Sequence, residues 1–131
     1  MTEKKLKVKR SNIGLGLFTL EPIAAKQQII EVVGPIINSE ECERIRGKYL
    51  FGLDENRAID GRSRKNLARY INHSCRPNAD AYASGDQIWI WSRRKIKAGE
   101  EITFNYGKEY FDQYIKPIGC KCEKCASTKK R

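Results

Sequence analysis

The strongest constraint on the fold comes from residues 79–92, which predict a β-hairpin. "ADAYA" and "QIWIWS" alternate as strands do, and they flank the turn sequence "SGD". Alternation on both sides of a short glycine-containing turn indicates two antiparallel strands. In the second strand Trp89 and Trp91 share one face, and Ile88 and Ile90 share the other. We expect both tryptophans to pack in the core or on the sheet rather than to stack on a ligand.

Short strand-like segments recur along the rest of the chain. "KLKVKR" and "EITFNY" alternate polar and apolar residues, and "QQIIEVVG", "KYLFGLD" and "RAID" predict further strands. "NSEECERIRG" predicts one short helix, capped by Asn38 or Ser39 and ended by Gly47. "NLARYIN" is short and helix-like. The predicted fold is therefore mostly β with a few helical turns, and a parallel doubly wound nucleotide-binding sheet is not expected.

Length and charge limit the class of protein. A chain of 131 residues suits one compact domain, and 40% hydrophobic with 32% charged residues suits a folded one. We expect no membrane association, because no run of roughly 18 apolar residues exists, and an intracellular location, because the N-terminus lacks a signal-peptide core. The formal charge of +10 is compatible with an anionic environment such as nucleic acid or chromatin, or with a solvated basic surface.

The cysteines indicate a metal site. Cys120, Cys122 and Cys125 lie close together in "CKCEKC", and structural zinc takes four ligands. Of the two remaining cysteines, Cys42 falls on the predicted helix, whereas Cys75 falls in a polar loop. We therefore expect Cys75 to be the fourth ligand. The alternative is a set of reduced free thiols.

"RYINHSCRPN" holds the single histidine, His73, two residues before Cys75. Such a pair could form a nucleophilic site. However, a cysteine that binds zinc is not a free nucleophile, and no oxyanion-hole arrangement is evident. Cysteine hydrolase chemistry is therefore disfavoured.

Two further features are weak when taken alone. Gly14 and Gly16 in "GLG" can form a turn or let the backbone approach a ligand, but the third glycine of a dinucleotide-binding motif is missing. Phe104 and Tyr106 share a strand face, where aromatic residues more often pack in a core than catalyse.

Taken together and in this order, four segments resemble the SET-domain family of protein lysine methyltransferases. They are "SNIGLGLFTL", "ARYINHSCRPNA", "GEEITFNYG" and "CKCEKC", which span about residues 10–125. The resemblance implies a minimal SET domain over residues 1–115 and a zinc-binding post-SET tail over 116–131. The implied fold has small curved β-sheets and a C-terminal pseudoknot, which brings "INHS" and "FNYG" together beside S-adenosylmethionine.

The resemblance also implies roles for individual residues. Tyr106 would be the catalytic residue, Asn72 would hold the methionine part of the cofactor, and His73 would meet the adenine mainly through its backbone. The full set of implied cofactor contacts is Gly14, Leu15, Gly16, Leu17, Asn72, His73 and Tyr106. The implied zinc ligands are Cys75, Cys120, Cys122 and Cys125.

Three aromatic residues, Tyr49, Phe104 and Tyr106, would line the channel for the target lysine. Phe104 matches the family's Phe/Tyr switch position, where phenylalanine leaves room for di- or trimethylation. Asn105 departs from the family, because an aspartate is common there. The short C-x-C-x2-C spacing of the tail is a second departure, although some branches share it.

The implied activity is methylation of lysine in a histone or histone-like basic protein, and the positive charge is compatible with proximity to DNA. The alternative is a catalytically inactive SET-like module that binds zinc and a partner. A second copy of the chain could complete the substrate groove. The implied location is the nucleus or chromosome for a eukaryotic source, and the cytoplasm or a secreted effector for a bacterial one.

Overall fold

The computed structural model describes residues 5–11, 14–45 and 49–105, in which the strands form three small sheets. The strands are β1 (Leu6–Ser11), β2 (Gly14–Thr19), β3 (Gln28–Val32), β4 (Ile36–Asn38), β5 (Leu50–Gly52), β6 (Arg57–Asp60), β7 (Asn72–His73), β8 (Ala79–Ser84), β9 (Gln87–Ser92) and β10 (Glu101–Phe104). The helical elements are α1 (Ser39–Ile45) and a 3₁₀ helix (Leu67–Tyr70). The prediction of a mostly β chain with a few helical turns is confirmed.

The predicted hairpin is formed by β8 and β9, which pair antiparallel from Ala79↔Ser92 to Ser84↔Gln87. Gly85 makes the turn with φ of 61°, a conformation that glycine adopts without a steric penalty. β3 pairs with the other edge of β9, so the sheet order is β3-β9-β8.

The two tryptophans lie on the sheet and not in the core, which is one of the two placements expected for them. Ile88 and Ile90 are 2% and 0% exposed, whereas Trp89 and Trp91 are half-buried on the opposite face of β9. Trp89 pairs across the strands with Tyr82. The tryptophans therefore pack on the outer face of the sheet, where they line an open depression of about 690 Å³.

The α1 helix begins where the sequence predicts. The backbone N–H of Glu41 donates to Asn38 Oδ1 at 2.9 Å, and the backbone N–H of Asn38 donates to Glu41 Oε1 at 3.3 Å. This reciprocal pair is a capping box, which satisfies N–H groups that the first helical turn leaves unpaired. The predicted end of the helix at Gly47 lies outside the described residues.

The four-stranded sheet joins distant parts of the chain. β1 and β2 form an antiparallel pair, β10 adds to β2, and β7 adds to β10 in parallel, so the sheet order is β1-β2-β10-β7. The remaining sheet has the order β4-β6-β5. The predicted contact between "INHS" and the start of "FNYG" is thereby confirmed, whereas the chain beyond residue 105 lies outside the described residues.

One apolar core lies between the sheets. Its fully buried aliphatic side chains come from β2, β3, β9, β10 and the loops beside them: Leu17, Val32, Ile71, Ile88, Ile90, Ile96 and Ile102. These residues hold the three sheets together by removing apolar surface from water. No helix in the described part of the chain has the length and apolar character needed to cross a bilayer.

Candidate active site

The site is built around the parallel contact between β7 and β10. Asn72 lies opposite Thr103, and His73 lies opposite Phe104. The backbone N–H of Ser74 continues the contact by donating to the Phe104 carbonyl at 3.1 Å. Two segments about 30 residues apart in sequence are therefore held side by side.

Asn78 fastens the loop after β7 to β10. Its Oδ1 accepts from the backbone N–H of Thr103 at 2.9 Å, and its Nδ2 donates to the Glu101 carbonyl at 2.8 Å. Asn78 is 2% exposed, so these bonds lie in a protected environment. Asn78 is the last residue of "RYINHSCRPN", and the sequence predicts no role for it.

Asn72 connects three strands. Its side-chain nitrogen donates to the Leu15 carbonyl on β2 at 3.0 Å and to Glu101 Oε2 on β10 at 2.7 Å. A longer contact of 3.4 Å reaches Ser11 Oγ on β1. The predicted cofactor residues Asn72 and Leu15 are thus in direct contact.

The two glycines of "GLG" serve different purposes. Gly14 has φ of +116° and open space around its Cα, so its backbone conformation is what favours glycine. Gly16 is buried, and a Cβ there would overlap the Glu101 carboxylate and lie 3.2 Å from Asn72 Nδ2. Gly16 therefore leaves room for the Glu101 side chain to lie against β2. The neighbouring Leu17 is buried in the core, which leaves only its backbone for a ligand contact.

His73 is 6% exposed, and its Nε2 lies 3.4 Å from Cys75 Sγ. Burial lowers the pKa of His73 below its ordinary value, so the imidazole is neutral at neutral pH. The structure therefore brings together the histidine and cysteine that sequence reasoning considered as a nucleophilic pair.

Glu101 lies in the candidate site, although the sequence predicts no role for it. It is half-buried in the same site, and burial raises the pKa of its carboxyl group, opposed in part by the hydrogen bond from Asn72. The alternation of β10 carries the relevant signal: Ile102 points into the core, so Glu101 and Thr103 point to the other face, where Asn72 lies.

The predicted channel residues are partly described. The Phe104 ring stacks on the Phe51 ring with centroids 6.0 Å apart and an interplanar angle of 15°. Tyr49 lies two residues before Phe51, and the Arg69 guanidinium lies 4.6 Å from the centroid of its ring. Phe51 and Arg69 had no assigned role. Phe51 thus contacts the predicted channel residue Phe104, and Arg69 contacts the predicted channel residue Tyr49.

Four predicted site residues lie outside the described residues: Tyr106, Cys120, Cys122 and Cys125. Cys75, the proposed fourth zinc ligand, is half-buried beside His73. Within residues 5–11, 14–45 and 49–105, no group of three or more histidine, cysteine, aspartate or glutamate side chains could hold a metal ion.

The described side of the site presents hydrogen-bond acceptors next to a glycine backbone. The Leu15 carbonyl and the Glu101 carboxylate converge on Asn72, and no lysine or arginine among the described residues forms an ion pair with Glu101. Such a set of groups suits a ligand that carries an amine, as S-adenosylmethionine does. Three small sheets, one of which contains a parallel contact between β7 and β10, and a buried Asn-His pair beside a glycine strand define the architecture expected of a SET domain.

Comparison with known proteins gives the same class. The family model described as the SET domain matches residues 14–107. The chain therefore belongs to the SET-domain family.

The relatives that the chain matches are much longer proteins. Histone-lysine N-methyltransferase set1 of Dictyostelium discoideum is 40% identical over 139 residues, which cover 95% of this chain and 9% of the relative. Histone-lysine N-methyltransferase set-2 of Caenorhabditis elegans is 43% identical over 118 residues, covering 79% and 8%. The Debaryomyces hansenii protein named "Histone-lysine N-methyltransferase, H3 lysine-4 specific" is 38% identical over 120 residues, covering 82% and 11%. The chain thus spans about a tenth of the length of these relatives.

Proposed function

We propose that the chain is an S-adenosylmethionine-dependent protein lysine N-methyltransferase that acts on a histone or histone-like basic protein. The observation that carries the proposal is the parallel β7–β10 contact, which joins Asn72 and His73 to the segment that leads into Tyr106. The names of the relatives, all histone-lysine methyltransferases, support the reaction class and the substrate class.

The cofactor supplies an electrophilic methyl group on a sulfonium centre. The Asn72 amide and the Leu15 carbonyl would hold its methionine part, since they already meet at 3.0 Å. Gly16 would keep the β2 backbone accessible because it has no side chain. His73, neutral and buried, would contribute its backbone and its shape rather than a charge.

The substrate amine must be neutral to attack the methyl group, although a free lysine has a pKa of about 10.4. Burial in a channel and a nearby positive charge both disfavour the ammonium form, so they assist loss of the proton. Tyr49 and Phe104 would form walls along the aliphatic stem of the lysine. Tyr106 would orient the amine through its hydroxyl group, which makes alignment the main contribution of the protein.

The charge of the chain bears on where the substrate is presented. A protein with a formal charge of +10 repels a free basic tail but is attracted to a DNA-bound one. We therefore propose that the substrate is a histone-like protein on DNA, which implies a chromosomal location.

Transfer of label from S-adenosylmethionine to mixed histones tests the proposal. We expect label in a histone band, and we expect Tyr106→Phe to reduce it on the order of 100-fold because the amine is no longer aligned. Tyr82→Phe, a change at a tyrosine that is 58% exposed on another sheet, should leave transfer unchanged. Cofactor binding without transfer to any protein would favour the inactive binding module instead.

A further inference from the structure

Glu101 carries a carboxylate that forms no ion pair with any described residue, and it lies in the centre of the site. Its side chain is half-buried and accepts a hydrogen bond from Asn72 Nδ2 at 2.7 Å. None of the ion pairs among the described residues includes Glu101. Charged groups removed from water are normally paired with an opposite charge. Among the described residues, the site therefore has no positive charge paired with Glu101, and a ligand could supply one.

A lysine on the neighbouring strand β1 is engaged elsewhere. Lys9 on β1 faces Gly16 on β2. Its ammonium group lies over the Phe18 ring, 4.6 Å from the centroid, in a cation–π contact. Lys9 therefore does not neutralise Glu101.

The acceptors around Asn72 have the arrangement that an ammonium group needs. The Leu15 carbonyl and Glu101 Oε2 lie 3.0 and 2.7 Å from Asn72 Nδ2, so these two oxygens lie close to each other on the same side of the site. A carbonyl oxygen has two lone pairs and a carboxylate about four, which leaves acceptor capacity after the Asn72 bonds are made. An ammonium group brings three donors and no acceptor.

The lack of a side chain at Gly16 on β2 also determines where the Glu101 carboxylate lies. A side chain at residue 16 would overlap the Glu101 carboxylate, so glycine is what allows this carboxylate to lie against β2. The Glu101 carboxylate thus packs against Gly16 on the face where Asn72 lies.

We propose that Glu101 binds the α-ammonium group of the methionine part of the cofactor, together with the Leu15 carbonyl. This assignment rests on the proposed function, since it concerns the same pocket. Burial is the main cause of the raised pKa of Glu101. A cation bound beside this carboxylate would favour its charged form.

Calorimetric binding of two nucleosides to the full chain tests the assignment. The first is S-adenosylhomocysteine, which has the α-ammonium group but a neutral sulfur, and the second is its analogue without the α-amino group. We expect Glu101→Gln to weaken binding of the first about tenfold, because a charge-assisted hydrogen bond is lost, and to leave binding of the analogue unchanged. Glu31→Gln, a matched change at a half-buried strand position in another sheet, should alter neither affinity.

The outcomes distinguish failure of the Glu101 assignment from failure of the proposed function. Equal affinity of Glu101→Gln and the unaltered chain for S-adenosylhomocysteine would overturn the assignment. An equal loss for both nucleosides would also overturn it, because it would indicate a structural role without an ammonium contact. If the unaltered chain bound neither nucleoside, the proposed function itself would be refuted.

Discussion

Phe104 is held by an aromatic neighbour that the sequence did not identify. Its ring stacks on Phe51, which projects from β5 in a different sheet, at a centroid distance of 6.0 Å. Stacked pairs of this kind add about 0.5–1.5 kcal/mol beyond the burial of their area. Packing against Phe51 therefore fixes the plane of the Phe104 ring. A hydroxyl group added at the edge of this ring would reduce the space beside it.

Phe104→Tyr should change the product of the proposed reaction. A hydroxyl group at this edge would hold water and crowd the amine, so we expect mass spectrometry to show mainly monomethyl-lysine in place of di- and trimethyl-lysine. Tyr82→Phe serves as the control, because its side chain lies on the outer face of another sheet. A product distribution identical in Phe104→Tyr and the unaltered chain would contradict this role.

At the scale of the elements, β7 depends on its neighbours for its structure. It contains only two residues, and its partner β10 contains four. Such short strands are held by side-chain bonds as much as by the ladder, and Asn78 supplies two of these bonds to the backbone of β10. The geometry of Asn72 and His73, the proposed cofactor contacts, therefore depends on Asn78.

Asn78→Ala should destabilise the protein by about 2–4 kcal/mol, because it leaves the Thr103 N–H and the Glu101 carbonyl without partners in a buried place. Urea denaturation measures this loss. Asn56→Ala is the matched control, since Asn56 is exposed, and it should change the free energy of unfolding by less than about 0.5 kcal/mol. Comparable stability of the two variants would show that Asn78 does not fasten the loop.

At the scale of the whole molecule, the proposed zinc site would connect the middle of the chain to its tail. Cys75 follows β7 closely and lies beside His73, so a metal bound there would act on the cofactor pocket through two residues of chain. Structural zinc sites contribute directly to folding.

Metal analysis of the purified chain should find about one zinc per molecule, and Cys75→Ser should lose most of it because three thiolates remain where zinc takes four ligands. Cys42→Ser should retain the metal, since Cys42 lies on α1 as a free thiol. Full zinc content in Cys75→Ser would assign the fourth ligand to another residue.

Local sequence signals predicted the elements better than they predicted the contacts between them. The capping residue Asn38 and the turn residue Gly85 act within a few positions of themselves, and both lie where expected. Trp89 and Trp91 were predicted to share a face, which they do, but alternation does not say which face meets the core. The isoleucines occupy the core side, where Val32 of β3 lies buried opposite Ile88.

The sequence by itself determined the short strands, the capped helix, the hairpin and the ordered motifs that identify the family, because each depends on residues close together in the chain. Only the tertiary structure decided that Glu101 meets Asn72 over Gly16, that Phe51 stacks on Phe104 and that Asn78 fastens β7 to β10. These contacts join residues 23 to 85 positions apart, from the pair 78/101 to the pair 16/101. Their geometry follows from how the three sheets pack on one core, and no local pattern encodes that packing.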